Sequence, residues 1–242
     1  MNRTALVTGG YGGIGRAVVR KLLSQGFHVF AVDLKPSVKN LPEEISGSDG
    51  KLIGIVADVS DFDSCRSMAE QVSAAGLGEV DTIVNNAGIT RDSLISKMDY
   101  SMWDSVIRVD LYSMFNVTKQ FVQSMIDKKF GRIINISSIS REGNVGQCNY
   151  AAAKAGVVGF TKALSRELAR YNITSNAISP GLVDTEILNS MPRDVLEKMI
   201  RKIPAGRLAK PEEVAALVSY LASDEAGYVN GEVLNINGAF FF

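Results

Sequence analysis

A tyrosine and a lysine stand four residues apart in the segment CNYAAAKAG, residues 148–156. Residues at positions i and i+4 lie on one face of a helix, so the phenol of Tyr150 and the ammonium of Lys154 would point to the same side. The ordinary pKa of a tyrosine, about 10, is too high for easy proton exchange at neutral pH. A neighbouring ammonium lowers that pKa, so the phenol could exchange a proton with a carbonyl or alcohol oxygen. The alanines and Gly156 would leave space for a flat ring beside the pair.

Small and polar residues follow three predicted strands, in the segments NNAG at 85–88, NISS at 135–138 and SPG at 179–181. The carboxyl ends of parallel strands meet at one edge of a sheet, so we expect these segments to lie close together. NISS places Ser138 upstream of Tyr150. A YxxxK pair alone is weak evidence, because this spacing is common, and the three segments are what make it a candidate site.

The elements that must position these residues alternate between strand and helix. Predicted strands cover residues 4–9, 28–33, 51–58, 80–88, 131–137, 173–179 and 232–237, and predicted helices cover 13–25, about 61–75, about 101–128, about 148–170 and a segment opened by Pro211. This alternation favours parallel βαβ units, and near-continuous apolar strands require helices on both faces. We therefore predict an α/β fold with one Rossmann-type domain, a doubly wound parallel sheet that binds its ligand beyond the strands' carboxyl ends.

The segment TGGYGGIG, residues 8–15, stands between the first predicted strand and the first predicted helix. Glycines at 9, 13 and 15 allow a tight turn, and the helix N-terminus offers N–H groups to a phosphate. In this position the glycines favour dinucleotide binding over a purely structural turn. Asp33 ends the second predicted strand, where a carboxylate can accept hydrogen bonds from ribose hydroxyls and would repel a 2′-phosphate.

The acid at position 33 therefore favours NAD(H) over NADP(H), while Arg16 and Lys35 leave NADP(H) open, because either could reach a phosphate.

Other classes of function are disfavoured by composition. Lysine plus arginine and aspartate plus glutamate both number 26, so no basic excess points to nucleic acid. Two cysteines without a CxxC pair and a single histidine predict no metal site and no histidine-based triad. No secretory signal or membrane span is recognisable, so we expect a cytoplasmic protein.

Together these motifs resemble the classical short-chain dehydrogenase/reductase family over essentially the whole chain. TGxxxGIG, the DV pair at 58–59, NNAG, a serine, YxxxK and PG occur in the family's order. The segments NAGITRD at 86–92, GQCNYAAAKAG at 146–156 and SPGLVDTE at 179–186 look like those of acetoacetyl-CoA reductases, and the related 3-oxoacyl-acyl-carrier-protein reductases are nearly as similar. The resemblance implies hydride transfer from a reduced nicotinamide cofactor to the 3-oxo group of an acyl thioester, giving an (R)-3-hydroxyacyl product.

The resemblance also implies roles for individual residues. Tyr150 would protonate the 3-oxo oxygen and also contact the cofactor, and Ser138 would hydrogen-bond the same oxygen. Lys154 would bind the nicotinamide ribose and lower the pKa of Tyr150. Gln147 would face the substrate. The other implied cofactor contacts are Gly9, Gly13, Ile14 and Gly15 at the pyrophosphate, Asp33 at the ribose, Asp58 and Val59 at the adenine, Asn86, Ala87 and Gly88 beside the cofactor, and Pro180, Gly181, Val183 and Thr185 at the nicotinamide end.

Three features depart from the family pattern. Asp110 stands where most relatives have an asparagine that helps to hold a water linked to the lysine; it could replace the asparagine, or it could pair with Lys154 and raise the pKa of Tyr150. Ser138 precedes Tyr150 by 12 residues where relatives have 13, and Ser137 would restore the count, although Ser138 keeps the strand end in register. Relatives that reduce acetoacetyl-CoA commonly use NADPH, whereas Asp33 predicts NADH.

Several alternatives remain open at this level. A segment at about 184–207 would cover the substrate. Its cations, at 193, 198, 201, 202 and 207, would either attract the phosphates of coenzyme A or an acidic carrier protein, or simply form a solvated helix face. Met191 and Met199 would cover an acyl chain or belong to the core. The apolar end AFFF, residues 239–242, would pack on its own chain or on a neighbouring subunit, and the resemblance implies a homotetramer. A reductase for another ketone and a non-catalytic NAD-binding redox sensor are the competing functions.

Overall fold

A computed structural model describes residues 3–45, 50–189 and 193–241 of the 242-residue chain. Its strands are β1 (Thr4–Thr8), β2 (His28–Asp33), β3 (Leu52–Val56), β4 (Thr82–Asn85), β5 (Gly131–Ile136), β6 (Ile173–Pro180) and β7 (Val233–Ile236). They form one parallel sheet in the order β3-β2-β1-β4-β5-β6-β7. The order reverses between β1 and β4, and this switch point is where such sheets bind ligands.

Helices cover both faces of the sheet, as predicted. They are α1 (Gly13–Leu23), α2 (Leu41–Glu44), α3 (Phe62–Ala74), α4 (Tyr100–Ile107), α5 (Ser113–Lys128), α6 (Cys148–Leu168), α7 (Glu186–Asn189), α8 (Arg193–Ile200) and α9 (Pro211–Ala222). One buried apolar core joins α1 and α9 to one face of the strands, and a second joins α3, α5 and the end of α6 to the other. The prediction of one doubly wound α/β domain is confirmed.

The long helix predicted over 101–128 is not continuous. α4 begins after Asp99, whose carboxylate caps the N–H of Met102, and it is separated from α5 by a π-helical turn at Arg108–Tyr112. Such turns are rare and are frequent at functional sites. This one contains Asp110, whose side chain is completely buried.

The segment at about 184–207, which was expected to cover the substrate, contains the short helices α7 and α8. α8 has no buried residue, and its cations pair locally, Arg193 with Glu197 and Lys198 with Asp194. This exposed pairing favours a solvated helix face over a site for acidic ligands. Met199 is half-buried, and Met191 lies outside the described residues. Within the described part of the chain, no helix is long and apolar enough to span a membrane.

Candidate active site

The start of α6 fixes the position of Tyr150. The buried side chain of Asn149 donates to the carbonyl oxygens of Arg91 and Met102, at 3.0 Å each, and accepts from the N–H of Tyr150 at 2.8 Å. One amide thus joins α6 to the loop after β4 and to α4. The phenol ring and the ammonium of Lys154 then face each other on one helix side, 5.4 Å apart from Nζ to the ring centroid. The predicted one-face arrangement is confirmed.

The structure distinguishes the two candidate serines. The side chain of Ser138 interacts with the hydroxyl of Tyr150 and lowers its pKa, and Ser138 Oγ accepts from the N–H of Ser140 at 3.1 Å. Because that bond uses only an acceptor site, the Ser138 O–H can still donate. Ser137 is buried and donates instead to the backbone carbonyl of Lys154 at 2.8 Å. Ser138, the residue preferred for keeping the strand end in register, is therefore the one that faces Tyr150.

A buried ion pair lies behind the tyrosine. The Lys154 Nζ is 3.1 Å from Asp110 Oδ2, outside good hydrogen-bond angles, and donates to the carbonyl oxygen of Ile136 at 3.0 Å. Asp110 Oδ1 accepts from the N–H of Ile89 at 2.8 Å. Gly88 lies against the pair, since a Cβ there would come within 2.8 Å of Asp110 Oδ2. The sequence expectation that Asp110 could pair with Lys154 is confirmed.

The charge balance corrects the simple expectation for Tyr150. Burial raises its pKa, the charge of Lys154 lowers it, and the charge of Asp110 raises it, with a net direction above the ordinary value. The ammonium does act in the predicted sense, but burial and the two acids Asp110 and Asp92 outweigh it. Burial lowers the pKa of Lys154, but the charges of Asp110 and Tyr150 outweigh that effect and raise it, so the ammonium stays protonated at neutral pH. The Tyr150 phenol therefore stays protonated at neutral pH.

The glycine turn has the shape of a phosphate cradle. Gly9 has φ +62°, and a Cβ on Gly15 would come within 2.0 Å of the Gly9 carbonyl oxygen, so neither position has room for a side chain. Asn86 holds the turn, its Nδ2 donating to the carbonyl oxygens of Thr8 at 2.9 Å and Gly9 at 3.2 Å. No side chain caps the first N–H groups of α1, which follow Gly12, and its first turn has no acid. These unpaired donors fit a dinucleotide pyrophosphate.

The remaining predicted cofactor contacts border the same edge of the sheet. Asp33 ends β2 and accepts from the N–H groups of Tyr11 at 3.2 Å and Lys35 at 3.0 Å. Asp58 accepts from both the N–H and the hydroxyl of Ser60, at 2.9 and 2.7 Å. Ile14 and Ala87 are half-buried against the two cores, and the side chains of Val59 and Val183 are buried. At Val59 and Val183, a bound ligand would therefore contact backbone atoms.

At the predicted nicotinamide end, Pro180 closes β6, and the N–H of Gly181 donates to the carbonyl oxygen of Ile236 at 3.0 Å. Thr185 lies against the glycine turn, where a Cβ on Gly13 would approach its Cγ2 to 2.8 Å. This contact brings the parts of the predicted cofactor site that were assigned to the pyrophosphate and to the nicotinamide together.

The structure orients the Gln147 amide, and it contradicts the role expected for Gly156. The Gln147 Nε2 donates to Asp92 Oδ2 at 2.9 Å, which orients the amide. Gly156 was expected to leave room for a flat ring, and this is wrong. A Cβ there would meet Leu111 at 2.9 Å, so the glycine instead permits close packing of α6 against the π-helical turn.

The comparisons with known proteins agree with this geometry. A family model described as "Enoyl-(Acyl carrier protein) reductase" matches residues 9–240. The nodulation protein G of Azospirillum brasilense is 45% identical over 240 residues, covering 98% of this chain and 97% of that protein. The chain belongs to the short-chain dehydrogenase/reductase family. Membership makes it an NAD(P)-dependent oxidoreductase, and the glycine cradle fits the nicotinamide dinucleotide that the family uses.

Two further members of the short-chain dehydrogenase/reductase family match along nearly the full chain. The acetoacetyl-CoA reductase of Allochromatium vinosum is 45% identical over 246 residues, 100% of this chain and 99% of that protein. The 3-oxoacyl-(acyl-carrier-protein) reductase FabG of Thermotoga maritima is 43% identical over 238 residues, 98% of this chain and 96% of that protein. Both of these relatives are named as reductases of 3-oxoacyl thioesters.

The sequence analysis did not identify the buried polar residues that connect α6 to the strands beside the site. Asn85 at the end of β4 donates to Asn135 of β5 at 2.8 Å, and Asn135 donates to Thr161 of α6 at 2.9 Å. This buried chain fixes α6 to the two strands whose ends carry NNAG and NISS. Asn85 and Asn135 stand inside quoted motifs, yet their alternation within apolar strands was the only signal for their role. Asn149 stands directly before Tyr150 and carries no signal in the sequence alone.

Proposed function

We propose that the protein is an NADH-linked reductase of the 3-oxo group of short acyl thioesters, with acetoacetyl-CoA as substrate and (R)-3-hydroxybutanoyl-CoA as product. One observation carries the proposal. Ser138, Tyr150 and Lys154 converge beside the glycine cradle, with Tyr150 held protonated. The reductase names of the two 3-oxoacyl-thioester relatives support the substrate class.

The roles follow from the contacts. A bound reduced nicotinamide supplies the hydride. The O–H groups of Ser138 and Tyr150 orient the carbonyl oxygen, and Tyr150 gives its proton to that oxygen as negative charge develops there. Lys154 stabilises the phenolate that remains, because its ammonium is cationic and adjacent. Asp110 holds Lys154 in place, which makes it a working substitute for the asparagine of most relatives.

The cofactor preference rests on Asp33. Its carboxylate ends β2 beside the glycine turn, where ribose hydroxyls can donate to it and where a 2′-phosphate would be repelled. Gln147, oriented by Asp92, faces the acyl thioester, and the segment about 184–207 covers it. Reduction of 3-oxoacyl groups on a carrier protein is the alternative function, and a non-catalytic NAD-binding redox sensor is the second alternative. We further expect a homotetramer in the cytoplasm.

The test uses the purified protein with acetoacetyl-CoA and follows loss of reduced nicotinamide absorbance, with NADH and NADPH in separate cuvettes. We expect turnover with NADH and a lower kcat/KM with NADPH. The same assay with acetoacetyl linked to an acyl carrier protein separates the two thioester classes. Tight NADH binding without turnover of either thioester would favour the sensor, and a clear NADPH preference would overturn the role given to Asp33.

A further inference from the structure

An ion pair outside the catalytic group joins α1 to α2. The Arg16 guanidinium lies 2.6 Å from Glu44 Oε2, and the two side chains are 32% and 33% exposed. Arg16 is one of the two cations that the sequence left available for a 2′-phosphate. Glu44 ends a four-residue helix that follows β2, and its pairing with Arg16 spans 28 positions of the chain.

This pair borders the ribose end of the glycine turn. The Arg16 guanidinium lies 5.9 Å from the centroid of the Tyr11 ring, and the N–H of Tyr11 donates to Asp33 Oδ2 at 3.2 Å. Tyr11 thus contacts the ion pair on one side and the ribose-binding acid on the other. Whether Arg16 is free or paired with Glu44 therefore affects binding of any group that the adenosine ribose carries.

The pairing changes what a 2′-phosphate would meet there. A free guanidinium attracts a phosphate strongly and binds it through paired N–H groups. With Glu44 bound to Arg16, the phosphate would have to displace a carboxylate at 2.6 Å and would also face the negative charge of Asp33. The second cation, Lys35, is exposed, and its backbone N–H is bonded to Asp33.

We propose that Glu44 is a specificity-determining residue, which engages Arg16 and so makes the protein select NAD(H) over NADP(H). This inference rests on the proposed cofactor site. Glu44 belongs neither to the glycine turn nor to the end of β2. The inference gives Glu44 part of the discrimination between NAD(H) and NADP(H) that would otherwise come from Asp33 alone.

The test measures binding of two nucleotide fragments by isothermal titration calorimetry, so that no turnover is needed. Adenosine 2′,5′-bisphosphate carries the 2′-phosphate, and 5′-AMP lacks it. Wild type is compared with Glu44→Gln, Arg16→Gln and the double variant. Glu43→Gln is the matched control, because Glu43 is an exposed acid of the same short helix.

We expect Glu44→Gln to bind the bisphosphate about fivefold more tightly, with 5′-AMP affinity unchanged, since exposed ion pairs are worth up to about that factor. The gain should vanish in the double variant, which lacks the cation, and should shrink at high salt. Glu43→Gln should resemble wild type.

An equal gain in Glu43→Gln would show a general charge effect and overturn the inference. So would an unchanged Glu44→Gln, or a gain that survives in the double variant. These results leave 5′-AMP binding intact and are thus distinct from failure of the proposed cofactor site, in which wild type would bind neither 5′-AMP nor NADH and both proposals would fall.

Discussion

The carboxylate of Asp110 and the ammonium of Lys154 form a buried ion pair at 3.1 Å, directly behind Tyr150. Asp110 lies in the π-helical turn that separates α4 from α5. The pair opposes the effect that a lysine alone would have on the phenol, because the aspartate charge raises the pKa that the lysine charge lowers. Several consequences can be measured.

Replacing Tyr150 by phenylalanine removes only the proton donor. We expect kcat for acetoacetyl-CoA reduction to fall by about 10² to 10⁴, the usual contribution of general acid catalysis. NADH binding, followed by quenching of protein fluorescence, should stay within about twofold of wild type, since a general acid acts on the reacting oxygen. An intact rate in this variant would refute the assignment of Tyr150 as the acid.

The two adjacent serines provide a matched pair of variants. Ser138→Ala should lower kcat by about 10- to 100-fold, because the reacting oxygen loses a hydrogen-bond donor. Ser137→Ala should leave kcat near wild type and lower the free energy of unfolding by about 1 kcal/mol, through loss of the bond to the Lys154 carbonyl. Steady-state kinetics and thermal unfolding on both variants test this, and a reversed pattern would exchange the two assignments.

The pH dependence of reduction should report Tyr150. Because its pKa is raised in the fold, the phenol stays protonated through neutral pH, and kcat should fall only on the alkaline side. Asp110→Asn removes a charge that raises this pKa, so the alkaline limb should move to lower pH. At neutral pH, kcat of this variant should stay within about tenfold of wild type, since a change in one pKa moves the limb rather than the plateau. A neutral-pH rate higher by orders of magnitude would mean that the carboxylate impairs the wild-type relay.

Stability should depend on the same pair. Asp110→Ala leaves the Lys154 ammonium buried without its partner, which costs about 3 to 5 kcal/mol of unfolding free energy. The raised pKa of Lys154 means that its contribution is present at neutral pH and is lost as the pH rises through the folded value, above the ordinary 10.5. Without the Asp110 charge, burial lowers the pKa of Lys154, so the lysine of the variant should lose its proton at a lower pH than in wild type. The difference in denaturant midpoint between wild type and Asp110→Ala should therefore begin to narrow at mildly alkaline pH and continue to narrow through the wild-type folded value. A gap that is constant up to the highest accessible pH would contradict this.

Gly88 is crowded by neighbouring side chains, whereas Gly159 has open space where a side chain would be. A Cβ on Gly88 would come within 2.8 Å of Asp110 Oδ2 and 3.3 Å of Lys154 Nζ, whereas one on Gly159 of α6 would meet nothing within 4 Å. Gly88→Ala should lower both kcat and melting temperature by displacing the pair. Gly159→Ala should leave kcat unchanged and raise the unfolding free energy by about 0.5 to 1 kcal/mol, as alanine favours a helix. Equal behaviour of the two variants would contradict the close contact seen at Gly88.

Local patterns in the sequence determined the fold class and where the candidate catalytic residues lie in it. Alternating strands and helices predicted the parallel sheet, and the carboxyl ends of its strands predicted where NNAG, NISS and the glycine turn meet. The spacing of Tyr150 and Lys154 determined that they share a face, because one helix places residues i and i+4 together. These features follow from geometry within a few residues, so no distant contact was needed to predict them.

Only the tertiary structure decided which distant groups touch and what charge state results. In the structure Ser138, and not Ser137, faces Tyr150. Asp110 pairs with Lys154, and Arg16 pairs with Glu44. Leu111 occupies the space beside Gly156. The direction of the Tyr150 pKa could not be read from the motif, because the cost of burial competes with charges from three separate segments. Burial and Coulomb energies depend on the packing of the whole domain, and that packing is set by contacts that sequence spacing does not encode.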